Sequence, residues 1–429
     1  MADYVRECLE RTERYLTDKL IPFWATRLAE PEYGGFQANY DRHGCRTGVT
    51  EKTLLCQARS IFALSHVARM GFEWPGCREM IAQGIAFLLR QFQDPVYGGY
   101  YWICEADGRV KADAKVIYGH AYLVYAFAEH ALLTGEDRSR EEAARLFDLI
   151  ASRAADLRHG GFHEHFTRAF ELACVRPDGV HAKSFDVHMH LMEAFTTLYE
   201  LTREAHHRRA LEQVIDLIFA RMIEPEFGVG VSMFAPDWTP VPNVQLNTLW
   251  GSDRFDVKGK PPEVTSYGHN IEFAWLYLHS QDILGRPRSE CAERVVPIFD
   301  HTAERGVDWE HGGLYVEGPR DGAATETNKE FWQQAEALVG FLDAYLLTGD
   351  EKYLKAFRNV HDFVFDKMIN YEVGEWFPLL DRRGRVLWDY MGHNWKICYH
   401  TLRATCQVVL KLRQIVAGRR GQAPSRRGE

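Results

Sequence analysis

The sequence predicts an all-α fold, an (α/α)6 barrel of six helix hairpins with short β-hairpins in the loops between the helices. Two observations indicate this fold: glycine-rich turns recur along the chain, and two kinds of helix alternate between them. The turns lie about 60 residues apart, as expected for one repeated supersecondary unit. The five clear copies are Gly34-Gly35-Phe36, Gly98-Gly99-Tyr100, Gly160-Gly161-Phe162, Gly312-Gly313-Leu314 and Gly374-Glu375-Trp376. A weaker sixth copy is Gly228-Val229-Gly230.

The second unit shows the order of elements within one repeat. Residues 77–93 have apolar side chains at helical spacing with charges between them, which predicts an amphipathic helix. Two short strands follow, at 100–103 and 109–111, on either side of a turn. A more uniformly apolar helix over 114–134 completes the unit, and Gly135 provides its C-terminal cap.

The same order recurs in the first and last units, where apolar helices are predicted over 53–69 and 393–412. Helices that are apolar nearly all round are buried, whereas amphipathic helices face solvent. The pattern therefore predicts an inner ring of helices inside an outer ring. We expect the ring to close because neither end of the chain carries a polar capping repeat.

The chain divides simply on this interpretation. Residues 1–415 form a single catalytic domain, and residues 416–429 form a disordered basic tail. The interval before Gly312 contains extra sequence at 236–265, which we expect to cover one mouth of the barrel.

The composition excludes several classes of function. A formal net charge of -9 argues against a nucleic-acid partner, which requires a basic surface. No apolar run approaches the roughly 18 residues of a membrane span, and the chain does not begin with a signal peptide. The 9 cysteines, an odd number without a C-x-x-C pair, favour reduced thiols and a cytoplasmic protein. We expect a small-molecule substrate and a monomer or homodimer.

Polar side chains cluster near the starts of the predicted inner helices, where they are costly unless they are paired or functional. Asp186 and His190 share a helical face, as do His269 and Glu272. A carboxylate beside a histidine fixes its tautomer and tunes its pKa, which suits a general base. His188 and His190 cannot share a face, so only one of them is expected to point inward.

Other side chains at the same level favour sugar binding. Trp332 and Glu336 share one face of their helix, and a tryptophan offers a flat apolar surface to a sugar ring. Arg59 is alone on its apolar helix and offers donors to an oxyanion. The last inner helix adds Trp395, with His400 and Arg403 one turn further on.

Some of these residues have simpler interpretations. A single histidine on a buried helix is more often a hydrogen-bonded core residue than a catalyst, and we assign His120 and His393 to structural or rim positions. Lys183, Lys329 and the pair Glu51-Lys52 are interpreted as solvated helix starts. A metal would need three ligands from three separate helices, and no phosphate-binding glycine loop is present, so no metal and no cofactor are expected.

These residues resemble the N-acylglucosamine 2-epimerase superfamily, most closely its cellobiose 2-epimerase branch. The resemblance extends over essentially the whole chain. It is carried by IPFWATRLAEPEYGGF (21–36), HMHLMEAFTTLYEL (188–201), SYGHNIEFAWL (266–276), FWQQAEALVGFLDAYLLTGDEKYL (331–354), GEWF (374–377) and WKICYHTLR (395–403).

The resemblance implies an (α/α)6 barrel that epimerises C2 of a reducing sugar without a cofactor. It implies that His269 and His400 are the two acid/base histidines and that His190 assists ring opening. Arg59 matches the arginine that holds the enediolate oxygen, and Glu272 matches the carboxylate paired with the base. The residues expected to bind substrate are Tyr118, Asp186, Trp332, Glu336, Trp395 and Arg403.

The sequence also departs from the cellobiose branch. That branch usually has Asn in place of Asp186 and Asn-Ser in place of Gln57-Ala58, and its last motif differs after Lys396. The substrate therefore stays open between a cellobiose-type β-1,4-disaccharide and D-mannose or D-glucose. An aldose–ketose isomerase and an N-acylglucosamine 2-epimerase are alternatives within the superfamily. An inverting glycoside hydrolase and a non-catalytic sugar-binding barrel are alternatives from other classes.

Overall fold

The computed structural model describes residues 2–244, 246 and 259–422. The helices in this part of the chain are α1 (Ala2–Tyr15), α2 (Ile21–Arg27), α3 (Leu54–Arg69), α4 (Cys77–Phe87), α5 (Ile117–Thr134), α6 (Asp137–Arg153), α7 (Phe185–Thr202), α8 (Ala205–Arg221), α9 (Tyr267–Leu284), α10 (Ala292–His301), α11 (Phe331–Thr348), α12 (Glu351–Phe363) and α13 (Cys398–Gln422). Single π-helical turns follow four outer helices, at Leu16–Leu20, Leu88–Phe92, Thr302–Gly306 and Val364–Met368.

The strands are short. They are β1 (Lys52–Thr53), β2 (Ile103–Cys104), β3 (Val110–Ala112), β4 (Lys115–Val116), β5 (His165–Phe166), β6 (Lys183–Ser184), β7 (Ile223–Glu224), β8 (Val229–Gly230), β9 (Met233–Phe234), β10 (Val264–Ser266), β11 (Glu317–Pro319), β12 (Lys329–Glu330), β13 (Ile369–Asn370), β14 (Glu375–Trp376), β15 (Leu379–Leu380) and β16 (Val386–Trp388).

The helices form two concentric rings. Six inner helices, α3, α5, α7, α9, α11 and α13, each pack against the next, and α13 packs against α3. This last contact closes the ring. An outer helix lies against each inner one: α4 on α3, α6 on α5, α8 on α7, α10 on α9, α12 on α11, and α1 on α13. The predicted (α/α)6 barrel is therefore confirmed.

The strands link neighbouring units. The strand before an inner helix pairs antiparallel with a strand of the following unit, as β1 does with β2 and β4 with β5. Within the second unit β2 also pairs with β3, which is the predicted hairpin. A single bridge between Tyr40 and Gly392 joins the first and last units where the ring closes. Each unit is thus held by its neighbour's backbone as well as by its own core.

Five of the six units carry a buried lysine two residues before the inner helix. Lys183 shows the arrangement: its ammonium lies 2.7 Å from Asp156 Oδ2 and 2.6 Å from the Gly160 carbonyl. The interpretation of Lys52, Lys183 and Lys329 as solvated is therefore wrong, because all three are buried. The lysine–carboxylate pairs are Lys52–Glu30, Lys115–Asp94, Lys183–Asp156, Lys329–Asp308 and Lys396–Glu375.

Glu51, the neighbour of Lys52, is likewise not solvated, since it is 5% exposed. Its carboxylate accepts a hydrogen bond from Asn394 Nδ2 at 2.8 Å. In the fourth unit Thr265 stands at the lysine position and donates to the Gly230 carbonyl at 2.8 Å. Thr265, like Lys183, thus attaches a glycine-rich turn to the start of an inner helix.

The fourth residue of an inner helix holds the glycine turn of its own unit. His120 accepts from the Tyr100 amide at 3.0 Å, and His188 accepts from the Phe162 amide at 3.0 Å. A Cβ added at Gly161, which has φ +74°, would lie 2.8 Å from His188 Nε2. The turn therefore requires glycine for close approach as well as for its positive φ. His120 and His188 are structural residues.

Two features differ from the sequence-based expectations. Helix α13 begins at Cys398 rather than at 393, so Trp395 lies in the preceding loop, and it continues to Gln422, beyond the start of the predicted tail at 416. The rest of that tail, 423–429, lies outside the described residues, as do 245 and 247–258 of the 236–265 insertion. No helix within the described ranges is long and apolar enough to cross a membrane.

Candidate active site

A cavity of about 400 Å³ opens where the inner helices begin. Nine of the eleven predicted site residues line it: Arg59, Tyr118, Asp186, His190, His269, Glu272, Trp332, Trp395 and His400. The other two, Glu336 and Arg403, lie directly beneath the cavity in contact with residues that line it. The described ends of the insertion also contribute, through Asn243, Leu246 and Lys260.

The sixth residue of every inner helix is polar, and together these residues form a ring across the barrel. Because the six helices begin at the same level, equivalent positions in each helix reach the same depth. The ring consists of Arg59, Tyr122, His190, Glu272, Glu336 and Arg403. Its members bond to one another, as Arg59 does to the Tyr122 hydroxyl at 2.8 Å. The repeat thus places one layer of charged and polar groups at the base of the cavity.

His190 lies between two carboxylates. Its Nε2 atom is 3.2 Å from Asp186 Oδ1, and its Nδ1 atom is 2.8 Å from Glu193 Oε2. Burial lowers the pKa of an imidazole, but the hydrogen bonds to Asp186 and Glu193 and the charge of Glu272 outweigh it here and raise the pKa of His190 to about 10. His190 is therefore a cation near neutral pH.

His400 has the opposite protonation state. Its Nδ1 atom lies 2.7 Å from Glu336 Oε1. Burial lowers the pKa of His400 to about 3 in spite of this carboxylate, and Arg59 and Arg403 add to the effect. The ring is therefore neutral. Because ionised Glu336 can only accept, Nδ1 carries the proton, and Nε2 offers a lone pair to the cavity.

His269 lies beside Trp332, as His400 does. Its ring centroid is 4.7 Å from that indole, and the His400 centroid is 5.8 Å from the same indole. His269 Nε2 is also 3.6 Å from Asp186 Oδ1. Burial lowers the pKa of His269, against the charge of Asp186. Two neutral imidazoles thus reach one cavity from helices α9 and α13.

The carboxylate of Glu272 does not form the expected pair with His269. Its Oε1 atom accepts from Arg403 Nη2 at 2.9 Å. Burial, together with the nearby charge of Glu336, raises the pKa of Glu272. The spacing of three residues brings His269 and Glu272 to the same cavity, but the strongest partner of Glu272 comes from another helix.

Arg403 is not in a position to bind substrate, which corrects its expected role. It is 1% exposed and donates from Nη2 to both Glu272 and Glu336, at 2.9 and 2.8 Å, and from Nη1 to Glu193. Glu336 is fully buried and is likewise a support for His400 rather than a sugar contact. Both residues hold the groups that line the cavity.

Glu272, Glu336 and His400 bring three possible metal ligands within 4.8 Å of one another. The Arg403 guanidinium already donates to both of these carboxylates. It therefore supplies the positive charge that a divalent cation would bring to this place, and it competes with any such ion for the same oxygens.

Arg59 lies across the cavity from this group. Its Nη2 atom donates to the Tyr118 hydroxyl at 2.9 Å and to the Tyr122 hydroxyl at 2.8 Å, and Nη1 reaches the Trp395 carbonyl at 3.4 Å. The Nε atom has no hydrogen-bond partner among the described residues. An oxygen of a bound ligand is thus the natural acceptor for this buried donor.

Sequence reasoning missed several residues at this site. Glu193 lies three residues after His190 on the same helical face, so the spacing rule that pairs Asp186 with His190 also predicts this contact. Trp388 lines the cavity and stacks on His393 with ring centroids 4.0 Å apart. His393 itself accepts from the Trp395 amide at 3.1 Å, in keeping with a structural or rim role.

Known proteins match this chain along nearly its whole length. The sequence model of a family described as N-acylglucosamine 2-epimerase (GlcNAc 2-epimerase) matches residues 34–404. A cellobiose 2-epimerase of Ruminococcus albus is 28% identical over 414 residues, 92% of this chain and 97% of that protein. A D-mannose isomerase of Marinomonas mediterranea is 24% identical over 397 residues, 92% and 95% of the two chains. The solved structure of cellobiose 2-epimerase from Spirochaeta thermophila DSM 6192 has a TM-score of 0.84 and 29% identity, and the match covers 96% of this chain and 98% of that one.

Proposed function

The chain belongs to the N-acylglucosamine 2-epimerase family, and we propose that it is an isomerase that inverts C2 of a reducing aldose. The observation that carries this proposal is the pair His269 and His400, two neutral imidazoles that line one cavity and both lie beside Trp332. Inversion at a carbon next to a carbonyl requires two groups that exchange protons with opposite faces of one plane. The proposal calls on no cofactor and no metal.

The first step is ring opening, because the C2 proton becomes acidic only when C1 is an aldehyde. His190 is the proposed acid for this step. It is the charged imidazole of the cavity, and a hydrogen bond to Glu193 and an ion pair with Asp186 fix its orientation. His190 gives its proton to the ring oxygen and the C1–O5 bond breaks, while the anomeric hydroxyl releases its proton to solvent and becomes the C1 aldehyde of the open sugar.

One acid/base histidine then removes the C2 proton and leaves a cis-enediolate. His400 is ready to act as a base, since its Nδ1 proton points to Glu336 and its Nε2 atom is free to accept. Arg59, whose Nε proton lacks an acceptor among the described residues, is the proposed donor to the charged oxygen. His269, after it takes up a proton from solvent, returns a proton to C2 on the opposite face and gives the epimer, and His400 releases the proton it removed to solvent.

Return of the proton to C1 instead of C2 would give the ketose, so a slower aldose–ketose isomerisation is expected at the same site. Glu272, on α9, is proposed to lie next to the enediolate. Burial raises the pKa of the Glu272 carboxyl and so favours its protonated form. A protonated carboxyl donates a hydrogen bond without adding charge. The two outcomes differ only in which carbon receives the proton.

The proposed substrate is a cellobiose-type β-1,4-disaccharide, with D-mannose or D-glucose as the alternative. Tyr118, Trp332, Trp388 and Trp395 line the cavity with aromatic faces, which suits more than one sugar ring. The cellobiose 2-epimerases among the relatives support the disaccharide. None of the nine cysteines, all of which lie in the described ranges, forms a disulfide, which supports a cytoplasmic location.

Incubation of the protein with cellobiose, lactose, D-mannose, D-glucose and N-acetylglucosamine in deuterated water tests the proposal. Proton NMR should show deuterium at C2 and growth of the C2 epimer for at least one of these sugars. Free glucose from cellobiose would instead indicate a glycoside hydrolase. Absence of both exchange and cleavage across the panel would refute an epimerase acting on these sugars.

A further inference from the structure

A continuous series of charged groups runs beneath the cavity from one histidine to another. His190 Nδ1 lies 2.8 Å from Glu193 Oε2, and Glu193 Oε1 accepts from Arg403 Nη1. Arg403 Nη2 donates to Glu336 Oε1 at 2.8 Å, and the same oxygen lies 2.7 Å from His400 Nδ1. All five side chains are 6% exposed or less. Charges alternate from His190 to Glu336, so each of these four groups stabilises the next, and the series ends at neutral His400.

Glu193 takes no part in the proton transfers of the proposed chemistry. It lies on α7 one turn after His190 and does not line the cavity. Its two oxygens accept from His190, from Arg403 and from the Tyr399 hydroxyl, the last at 3.0 Å. These donors outweigh burial and lower the pKa of Glu193, so a full negative charge is held under His190.

We infer that Glu193 is a positioning residue of the proposed epimerisation: it acts through His190, which it keeps charged and holds with Nε2 toward Asp186 and the cavity. The inference rests on the proposed function, since it concerns the acid of the ring-opening step. Asp186 also contacts His190, but it lines the cavity and lies close to His269 as well. Of the two carboxylates on His190, Glu193 is the one paired with no other histidine of the site among the described contacts.

Arg403 divides the series into two halves. A guanidinium does not release its proton in a protein, so no proton can pass from His190 to His400 by this route. Each half therefore keeps its own protonation state, with a charged imidazole on Glu193 and a neutral one on Glu336. This division leaves ring opening and C2 proton transfer to separate histidines.

The charge on His190 also depends on its other neighbours. Asp186 precedes it on α7, the Tyr122 hydroxyl of α5 lies 3.1 Å from its Nε2 atom, and Tyr118 packs edge-on with ring centroids 5.5 Å apart. The charged and titratable groups that surround it are Asp186, Glu193, Tyr118, Tyr122, Arg59, His269, Glu272, Tyr399 and Arg403. Glu193 and Asp186 are the carboxylates in direct contact with the ring.

Glu193→Gln tests the inference because it removes the charge and keeps the shape. Glu129→Gln is the matched control: Glu129 is a buried glutamate on α5 that binds His66 at 2.9 Å and Arg69 at 2.8 Å, away from the cavity. The measurement is a histidine NMR titration of the protein without substrate. The signal of His190 is assigned as the one that His190→Asn lacks. In Glu193→Gln the pKa of His190 should fall by about 1–3 pH units. Glu129→Gln should leave it in place.

The rate of C2 exchange gives the second readout. In Glu193→Gln the fall of kcat at alkaline pH should begin at a lower pH, because His190 loses its proton earlier. KM should change little, because Glu193 lies outside the cavity. Glu193→Asp, which keeps the charge, should restore part of the shift if Glu193→Gln folds poorly. An unchanged His190 titration in folded Glu193→Gln would overturn the inference. Failure of the wild type to exchange any sugar would refute the proposed function alone, because the titration needs no substrate.

Discussion

His400 Nδ1 lies 2.7 Å from Glu336 Oε1, and this contact determines what His400 can do. Arg403 donates to the same oxygen at 2.8 Å and, with His400, lowers the pKa of Glu336. An ionised carboxylate at this place requires the proton on Nδ1 and leaves Nε2 as a base. The arrangement is the one by which a buried carboxylate orients a catalytic imidazole in other enzymes.

Glu336→Gln should lower the rate of C2 exchange at least about 100-fold, because His400 loses both its fixed tautomer and the charge that stabilises its protonated form. The rate is measured by NMR in deuterated water with the best sugar of the panel. Glu129→Gln, a buried glutamate away from the cavity, should leave the rate near that of the wild type. A Glu336→Gln variant that is as active as the wild type would contradict this role.

The stability of the wild type should fall as the pH rises from about 7 to 10. Its His190 has a pKa of about 10 when folded, above the value of about 6.5 in an unfolded chain. Between about pH 6.5 and 10 the folded protein therefore holds one proton more than the unfolded chain. The free energy of unfolding that this proton contributes is lost as the pH approaches 10. Thermal unfolding of the wild type and of His190→Asn across this range checks the prediction. Parallel curves for the two proteins would contradict it.

Lys183→Met should cost about 3–5 kcal/mol of the free energy of unfolding, since it leaves Asp156 buried without its cation. Arg208→Ala, which breaks a half-exposed pair with Glu212, should cost less than about 1 kcal/mol. Urea unfolding of both variants gives the comparison. Equal losses for the two would show that the lysine attached to the glycine turn contributes no more than a surface ion pair.

The barrel could be predicted because each unit repeats the same local signals. Glycine at Gly161 and the polar residue at the fourth helical position, His188, recur in register, and the helices alternate in polarity. The buried lysines were not recognised, since Lys183 at a helix start looks the same in sequence whether it faces water or Asp156. The partner lies in another part of the unit.

The sequence predicted which residues belong to the candidate site, but it did not predict how far each side chain lies from the cavity. A helical face specifies direction, so Arg403 and His400 were both assigned to the interior. Only the packed structure shows that Arg403 does not line the cavity and is bound instead by three carboxylates. The start of α13 was misjudged because Lys396, bound to Glu375 and to the Met391 carbonyl, holds the chain out of the helix up to Cys398.

The two-base proposal predicts complementary defects in His269→Ala and His400→Ala. Each variant should lose net epimerisation by about 100-fold or more, since one face of C2 lacks its acid or base. The remaining histidine can still remove the proton that faces it, so each variant should exchange the C2 proton of one epimer only. The two variants should act on opposite epimers, as measured by NMR of both pure epimers in deuterated water. Exchange of the same epimer by both variants, or undiminished epimerisation by either, would contradict the assignment of these histidines to opposite faces of one opened sugar.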